Sequence, residues 1–112
     1  MLCDLGTHQL AYEISGPTNT APLLFGHCFA SNRHFFDDQL PALTDYQIIR
    51  YDTRGHGESG TPAGPYRMDD LGNDAIALLD HLQIKQTHYV GVSMGGMIGQ
   101  NIALRFLRDY YL

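Results

Sequence analysis

The stretch THYVGVSMGGMIGQ, Thr87 to Gln100, decides how the whole chain is interpreted, because its composition and apolar spacing change in the middle. Its first half is rich in β-branched and aromatic residues, which favour a buried strand. Its second half spaces apolar residues about one helical turn apart, which favours a helix. Ser93 lies at the junction, between Gly91 and Gly95. The stretch therefore predicts a strand that turns sharply into a helix, with a serine at the turn.

A hairpin and two further strands are predicted before this turn. Residues 2–17, LCDLGTHQLAYEISGP, contain alternating apolar positions around a Gly6-Thr7 turn, which is typical of a hairpin. Short continuous apolar runs follow at Leu23-Leu24-Phe25 and at Ile48-Ile49. Runs without alternation suit strands that are buried on both faces, as in a parallel sheet.

Helices are predicted between and after these strands, where apolar residues recur at helical spacing. Phe36, Leu40 and Leu43 predict a short helix that Pro41 interrupts or ends. Residues 68–84 predict a longer helix, with two aspartates in its first turn, where the helix dipole favours anions. The apolar stripe predicted for this longer helix is Leu71, Ala75, Leu78, Leu79 and Leu82. A third helix is predicted from Met94, with its stripe at Ile98, Ile102 and Phe106.

The order of these elements predicts the fold class. After the hairpin the pattern is strand, helix, strand, helix, strand, helix, and parallel strands joined by helical crossovers are its natural packing. We therefore expect an α/β fold of three layers, α/β/α, with a mostly parallel sheet and an N-terminal hairpin. Residues 1–112 are long enough for one domain with a modest core.

The bulk composition excludes several functional classes. With 44% hydrophobic and 17% charged residues the chain is globular, and its net charge of −5, with basic residues scattered singly, argues against a nucleic-acid partner. No apolar run approaches the ~20 residues that span a bilayer, and no signal peptide is evident. Cys3 and Cys28 lack CxxC spacing, which favours free thiols in a reducing cytoplasm. The histidines form no metal-binding pattern, so neither a metal nor another cofactor is expected.

Gly91-Val92-Ser93-Met94-Gly95 fits the pattern G-x-S-x-G, and its strand-turn-helix context is the one that this motif requires. A serine that must stand clear of the backbone needs a very tight turn, and side chains at the flanking positions would collide with the neighbouring strand and helix. The Met94 N–H, at the helix N-terminus, can then bind a developing oxyanion. The alternative interpretation is a glycine-rich turn with an N-capping serine.

Two other stretches, together with the serine turn, resemble loops of a known family. The oxyanion loop, the strand-four turn and the nucleophile elbow of the α/β-hydrolase fold are similar in order and spacing to LLFGHCFASN, YDTRGHGESG and YVGVSMGGMIGQ. The resemblance is closest to the branch of 3-oxoadipate enol-lactonases and small carboxylesterases. It implies that Ser93 is a nucleophile, that the backbone amides of Met94 and Phe29 form the oxyanion hole, and that the substrate is a small ester or lactone.

The oxyanion loop departs from the family at one position. The family usually has His-Gly after the third strand, and this chain has His27-Cys28. Because cysteine has a Cβ, a positive φ at Cys28 would be strained. We therefore expect the departure to affect the position of the Phe29 amide.

A serine hydroxyl is a weak nucleophile without a base, and the family places its acid and histidine after the serine. After Ser93 this sequence has only Asp109 as an acid, predicted on the last helix, and no histidine. The resemblance therefore implies only the N-terminal part of the fold, truncated before the later strands. Removal of the base from such a triad reduces kcat by about 10⁶.

Two of the histidines, His27 and His56, carry two interpretations each. His27 is a possible accessory to Ser93, or a structural histidine that bonds to loop backbone. His56 could also serve the site, or it packs its turn against the elbow. Arg54 and Glu58 could form a surface pair. Cys28 is expected to be a buried or half-buried thiol rather than a rival nucleophile. The other histidines are expected to be solvated: His8, His34, His81 and His88.

Truncation predicts an exposed edge as well. Tyr89, Val90 and Val92 should lie on a bare edge strand, and the stripe of the last helix, with Tyr110-Tyr111, should be half uncovered. This predicts a homo-oligomer formed through that edge. Two functions stay open: a serine hydrolase of small esters or lactones, and an inert fragment that folds as an oligomer or with a missing C-terminal half.

Overall fold

The computed structural model describes residues 1–106 and begins with the predicted hairpin. Strand β1 (Leu2–Asp4) pairs antiparallel with β2 (Gln9–Ser15). The turn between them depends on Gly6, whose φ of +93° is readily available only to glycine. The Asp4 side chain accepts a hydrogen bond from the Gly6 N–H at 2.8 Å and closes the turn. The hairpin expectation is confirmed.

Within residues 1–106, three more strands complete a mixed sheet of five, in the order β1-β2-β4-β3-β5. They are β3 (Leu23–Gly26), β4 (Ile48–Tyr51) and β5 (His88–Gly91). Strand β3 lies in the middle of the parallel part, between β4 and β5, while β4 runs antiparallel to β2. The carboxyl ends of β3, β4 and β5 therefore lie at one edge of the sheet, and the three loops that the sequence analysis selected begin there.

Helices α1 (Met68–His81) and α2 (Met94–Phe106) pack together with the main core of the sheet. The predicted α1 stripe is buried at its first four positions, with Leu82 packed against the same core. Helix α1 ends at His81 rather than at residue 84, because Gln83 adopts a φ of +57° that stops it. Its start is capped by Asp70, whose carboxylate accepts from the Arg67 N–H at 2.9 Å.

The expected half-uncovered stripe on α2 is wrong for its central residues. Ile98 and Ile102 are both 0% exposed, and Phe106 packs partly buried against the core. The reason is that α2 folds back over the sheet and contacts β3, β5 and α1 together, so no further sheet is needed to cover it. Tyr110-Tyr111 lie outside the described residues.

A 3-10 helix (Arg33–Leu43) packs with the other face of the sheet and forms the third layer. The predicted short helix is therefore present, but it is wound more tightly than an α-helix, and Pro41 lies inside it. Phe36 anchors it through an edge-to-face contact with Phe25 of β3, with ring centroids 4.8 Å apart. The three-layer α/β architecture with an N-terminal hairpin is thus confirmed.

Strand β5 is bonded to β3 on one side only, among the residues that the structure describes. Val90 and Val92 are 41% and 39% exposed, as expected for an edge. The expectation that Tyr89 is also exposed is wrong, because its ring turns inward against α2 and the core. Within residues 1–106, neither α-helix has the length and apolar character that crossing a bilayer requires.

Candidate active site

Ser93 lies at the tip of the turn between β5 and α2, and its side chain is exposed. Its φ is +55°, a left-handed conformation that costs a non-glycine residue about 1–2 kcal/mol. The flanking glycines are required by space: a Cβ on Gly91 would clash with the backbone of Gly95, and a Cβ on Gly95 would clash with the Gly26 carbonyl. The steric reason expected for these glycines is therefore present in the structure.

The first turn of α2 has one backbone amide without a hydrogen bond to residues 1–106. The Gly95 N–H bonds to the Val92 carbonyl at 3.0 Å, and the Met97 N–H bonds to the Ser93 carbonyl at 3.0 Å. The Met94 N–H makes no hydrogen bond to any residue in 1–106. It stands next to Ser93 at the positive end of the helix dipole, where an anion is stabilised.

The loop after β3 has a second amide of this kind. The Phe29 N–H bonds to no residue of the described chain, and the Phe29 side chain is 73% exposed. The residue with positive φ in this loop is Ala30, at +63°, and not Cys28. The expected strain at Cys28 is therefore wrong, because the loop takes its left-handed step two residues later. The start of this loop touches the elbow, since a Cβ on Gly95 would lie 2.9 Å from the His27 carbonyl oxygen.

His27 is completely buried, and both of its ring nitrogens bond to backbone. Its Nε2 accepts from the Thr53 N–H at 3.0 Å, so Nδ1 carries the proton and donates to the Cys28 carbonyl at 2.8 Å. Burial lowers the pKa of this imidazole, which keeps it neutral. The geometry favours the structural interpretation of His27, because neither nitrogen is available to Ser93.

His56 holds the same loop from the other side. Its Nε2 accepts from the Ala30 N–H at 3.1 Å, and its Nδ1 donates to the Arg54 carbonyl at 3.0 Å. Its ring centroid lies 5.2 Å from that of His27 and 5.5 Å from that of Phe29. The expected contact of this turn with the elbow is replaced by contact with the loop after β3. The two imidazole rings thus hydrogen-bond to the backbone of Cys28 and Ala30, the residues on either side of Phe29.

Asp52, which follows β4, organises the surrounding loops and was not among the expected site residues. Its buried carboxylate accepts from the Arg33 N–H at 2.7 Å, from the Glu58 N–H at 2.8 Å and from the Arg33 guanidinium. Gly57 (φ +51°) is needed beside it, because a Cβ there would clash with the carboxylate. The only signal in the sequence was an aspartate directly after a buried strand, which does not reveal its partners.

Two expectations about charged groups are wrong. Arg54 pairs with Asp74 of α1 rather than with Glu58, through bonds of 2.6 and 2.8 Å, while Glu58 bonds to Arg33 at 2.6 Å. His8 is buried rather than solvated, with its Nε2 3.1 Å from the Asp74 carboxylate. Both differences arise from contacts between residues far apart in the chain, which local spacing cannot show.

Among residues 1–106, no base is hydrogen-bonded to Ser93. The Ser93 hydroxyl makes no hydrogen bond to a residue in 1–106. His34, His81 and His88 are exposed, as expected. Asp109 lies outside the described residues. Cys28 is a half-buried free thiol and Cys3 a buried one. The described part of the chain contains no cluster of three or more histidine, cysteine or carboxylate side chains that could hold a metal.

Comparison with known proteins agrees with this fold. Residues 21–109 match the family model described as alpha/beta hydrolase fold. The chain is 48% identical over 98 residues to 3-oxoadipate enol-lactonase 2 of Acinetobacter baylyi, covering 87% of this chain and 37% of that protein. The crystal structure of a hydrolase from Pseudomonas aeruginosa superposes with a TM-score of 0.91 at 39% identity, over 97% of this chain and 43% of that one.

A second solved structure is similar as well. The enol-lactonase from Burkholderia xenovorans superposes with a TM-score of 0.94 at 31% identity, over 98% of this chain and 44% of that chain. The chain therefore belongs to the α/β-hydrolase fold family. It spans 37% of the length of the lactonase from Acinetobacter, so the activity of a whole enzyme is not transferred to it by similarity alone.

Proposed function

We propose that Ser93 is the nucleophile of a hydrolase site that acts on small esters or lactones by acyl transfer. The observation that carries the proposal is the exposed Ser93 on a left-handed turn, next to the unbonded Met94 amide, with the loop of the unbonded Phe29 amide starting in contact with Gly95 of the same turn. Strain of this kind persists only where the surrounding structure enforces it, and it is concentrated at functional sites. The N-capping alternative is less well supported, because the Ser93 hydroxyl accepts no bond from the helix.

In this reaction the Ser93 oxygen attacks the substrate carbonyl carbon while the serine proton passes to a base. The carbonyl oxygen becomes an oxyanion that the Met94 and Phe29 amides stabilise, and loss of one such donor reduces the rate by about 10²–10³. The alkoxide or enolate then leaves with a proton, and water hydrolyses the acyl-serine. In a lactone the leaving oxygen and the acyl group belong to the same molecule, so the opened lactone would stay bound to Ser93 until that last step.

Similarity to two enol-lactonases supports a lactone or ester as the substrate. The chain is then the N-terminal part of a hydrolase domain, and the site uses no metal or other cofactor. Two free cysteines, with no disulfide between them, are consistent with a cytoplasmic protein.

A second candidate function is supported by the isolation of Ser93. Its hydroxyl bonds to no base among residues 1–106, and the two histidines nearest the loop, the buried His27 and the partly buried His56, use their ring nitrogens for backbone hydrogen bonds. The chain would then be inert by itself and would need another polypeptide that supplies a histidine and an acid. In such sites the oxyanion-binding amides alone accelerate the reaction about 10³–10⁴-fold over water. A slow reaction that depends on Ser93 would therefore favour the first candidate, and its absence would favour the second.

Hydrolysis of p-nitrophenyl acetate by the purified chain tests the first candidate, with Ser93→Ala as the control. A release of p-nitrophenol that is stoichiometric with protein and is lost in Ser93→Ala supports acyl transfer to Ser93. Equal release by both proteins contradicts the first candidate for this chain and leaves the inert fragment.

We also propose that two copies associate through the β5 edge. The exposed Val90 and Val92 border an apolar groove of about 440 Å³ that Phe25 and Phe36 also line. An uncovered apolar strand edge favours pairing with another chain. Sedimentation velocity should show a dimer that Val90→Lys dissociates, while Leu104→Lys, at an exposed position on α2, leaves it intact. A folded monomer of the unaltered chain at all concentrations would exclude the association.

A further inference from the structure

Tyr89 of β5 joins the strand to the helix that follows the nucleophile turn. Its hydroxyl donates a hydrogen bond of 2.6 Å to the Gly95 carbonyl, in the first turn of α2. The strand and the helix are therefore connected twice: through the chain at Ser93, and across the turn through this side chain. Gly95 is two residues from Ser93 and adjacent to Met94, whose amide is the proposed oxyanion donor.

The space for the Tyr89 ring is made by two glycines on other elements. A Cβ on Gly26, at the end of β3, would clash with the Tyr89 hydroxyl. A Cβ on Gly99, one turn further along α2, would lie 2.7 Å from the ring carbons of Tyr89. The ring consequently fills the space between β3 and α2, and its position allows little movement. G-x-S-x-G accounts for neither of these glycines.

The polar end of Tyr89 is buried beside a second tyrosine. Tyr51, at the end of β4, is 1% exposed, and its hydroxyl lies near that of Tyr89. No partner of good geometry for the Tyr51 hydroxyl is found within residues 1–106. Burial raises the pKa of both phenols above the ordinary value, so both stay protonated and Tyr89 remains a donor.

We propose that Tyr89 is a positioning residue for the nucleophile turn: its hydroxyl holds the Gly95 carbonyl, and through it the Met94 amide and Ser93. The inference rests on the proposed function of Ser93. The strained φ of Ser93 must be enforced by its surroundings, and this bond is a side-chain contact that reaches the first turn of α2 from the strand. Loss of the hydroxyl lets the turn relax although the ring still fills its space.

The experiment compares Tyr89→Phe with Tyr12→Phe in the full chain. Tyr12 is a matched control, because it is 6% exposed in the same core, lies on β2, and places its ring against His81 at the end of α1. A fluorophosphonate is used to measure the rate of covalent modification of Ser93, and amide hydrogen exchange is followed by NMR. The amides compared are Gly95 and Met97 at the elbow, against those that bond β2 to β4.

In Tyr89→Phe we expect modification of Ser93 to slow about tenfold and elbow exchange to rise about tenfold, the change that loss of one ordinary hydrogen bond allows. Exchange between β2 and β4 should change no more than in Tyr12→Phe. A merely structural tyrosine would raise exchange evenly in both regions, and that result overturns the inference. So does an unchanged elbow in Tyr89→Phe.

Failure of the proposed function has a different signature. If the unaltered chain is modified no faster than Ser93→Ala, Ser93 is not a nucleophile here, and the exchange data alone decide whether Tyr89 holds the turn. If Tyr89→Phe does not fold, the unaltered protein still gives an answer, because a hydroxyl bonded to Gly95 should show a slowly exchanging proton resonance. A rapidly exchanging Tyr89 hydroxyl would contradict the inference.

Discussion

The α-carbon of Gly95, in the first turn of α2, lies against the backbone carbonyl of Gly26, the last residue of β3. Helix α2 therefore begins in direct contact with the strand from which the loop 27–30 leaves. The two amides proposed to bind the oxyanion, on Met94 and Phe29, belong to segments that share this contact. Their relative position is consequently set by backbone packing rather than by flexible side chains.

Gly95→Ala should destabilise the protein strongly, because its Cβ would overlap the Gly26 carbonyl and neither backbone can withdraw. We expect a loss of about 3 kcal/mol in the free energy of unfolding, the upper part of the range for an overpacked interior. Gly96→Ala is the matched control, since its Cβ would lie 3.6 Å from the Gly91 oxygen, an ordinary contact. Urea denaturation measures both. Equal stability of the two variants would show that the elbow is looser than described.

Ser93→Gly should stabilise the fold while it abolishes any reaction at this position. Glycine adopts the φ of +55° without strain, so we expect a gain of about 1 kcal/mol over Ser93→Ala, which keeps the Cβ. Comparison of these two variants separates backbone strain from loss of the hydroxyl. Thermal denaturation gives the order. If Ser93→Gly is the less stable of the two, the turn is not strained at Ser93.

Stability should fall in mild acid because of His27. Its pKa is lowered in the folded protein, mainly by burial and also by the nearby His56, while the Cys28 carbonyl and Asp52 act in the opposite direction. The unfolded chain therefore takes up the proton first. This contribution to stability is complete above the unfolded pKa of about 6.5 and decreases as the pH falls below it, by at most about 1.4 kcal/mol per pH unit. It levels off below the folded pKa.

Urea denaturation of the unaltered chain and of His27→Gln, from about pH 5 to about pH 7.5, isolates this contribution. Glutamine can accept from the Thr53 N–H and donate to the Cys28 carbonyl without titrating. The slope should be smaller in His27→Gln. Parallel curves for the two proteins would assign the acid sensitivity to other groups.

Asp74→Asn should be among the most damaging conservative changes. Asp74 is 4% exposed and pairs with Arg54 through two bonds, with His8 also in contact, so its neutralisation leaves a guanidinium without its counter-charge. We expect a loss of about 3 kcal/mol, as for other broken buried pairs. Glu58→Gln is the control: its side chain is 72% exposed, and such pairs contribute about 1 kcal/mol or less. Similar losses in both variants would contradict this assignment.

The local pattern was sufficient for the strands and for the serine turn. Continuous apolar runs located β3 and β4, and the glycines around Ser93 indicated a turn too tight for side chains. These features depend on neighbours within a few residues, where steric limits and hydrophobic spacing act directly. The 3-10 winding of residues 33–43 was not predictable, because it depends on how Phe36 and Leu40 meet the sheet.

The partners of the polar side chains were missed for a different reason. Sequence spacing suggested Arg54 with Glu58 and a solvated His8, yet both Arg54 and His8 meet Asp74, which is far from each of them in the chain. Tyr89 was expected at an exposed edge because strand position alone does not say where a ring turns. Contacts of this kind exist only once α1 and α2 have packed on the sheet.

The order of strands and helices, the tight turn at Ser93 and the membership of a fold family could be read from the amino-acid sequence, because they follow from local sterics, apolar periodicity and motif spacing. The groups that serve the turn became evident only in the folded chain. In the folded protein, His27 and His56 hydrogen-bond to loop backbone, Asp52 bonds to Arg33, and the Tyr89 hydroxyl bonds to Gly95. The physical reason is that hydrogen-bond partners buried between layers are selected by packing across the sheet, which no short stretch of sequence encodes.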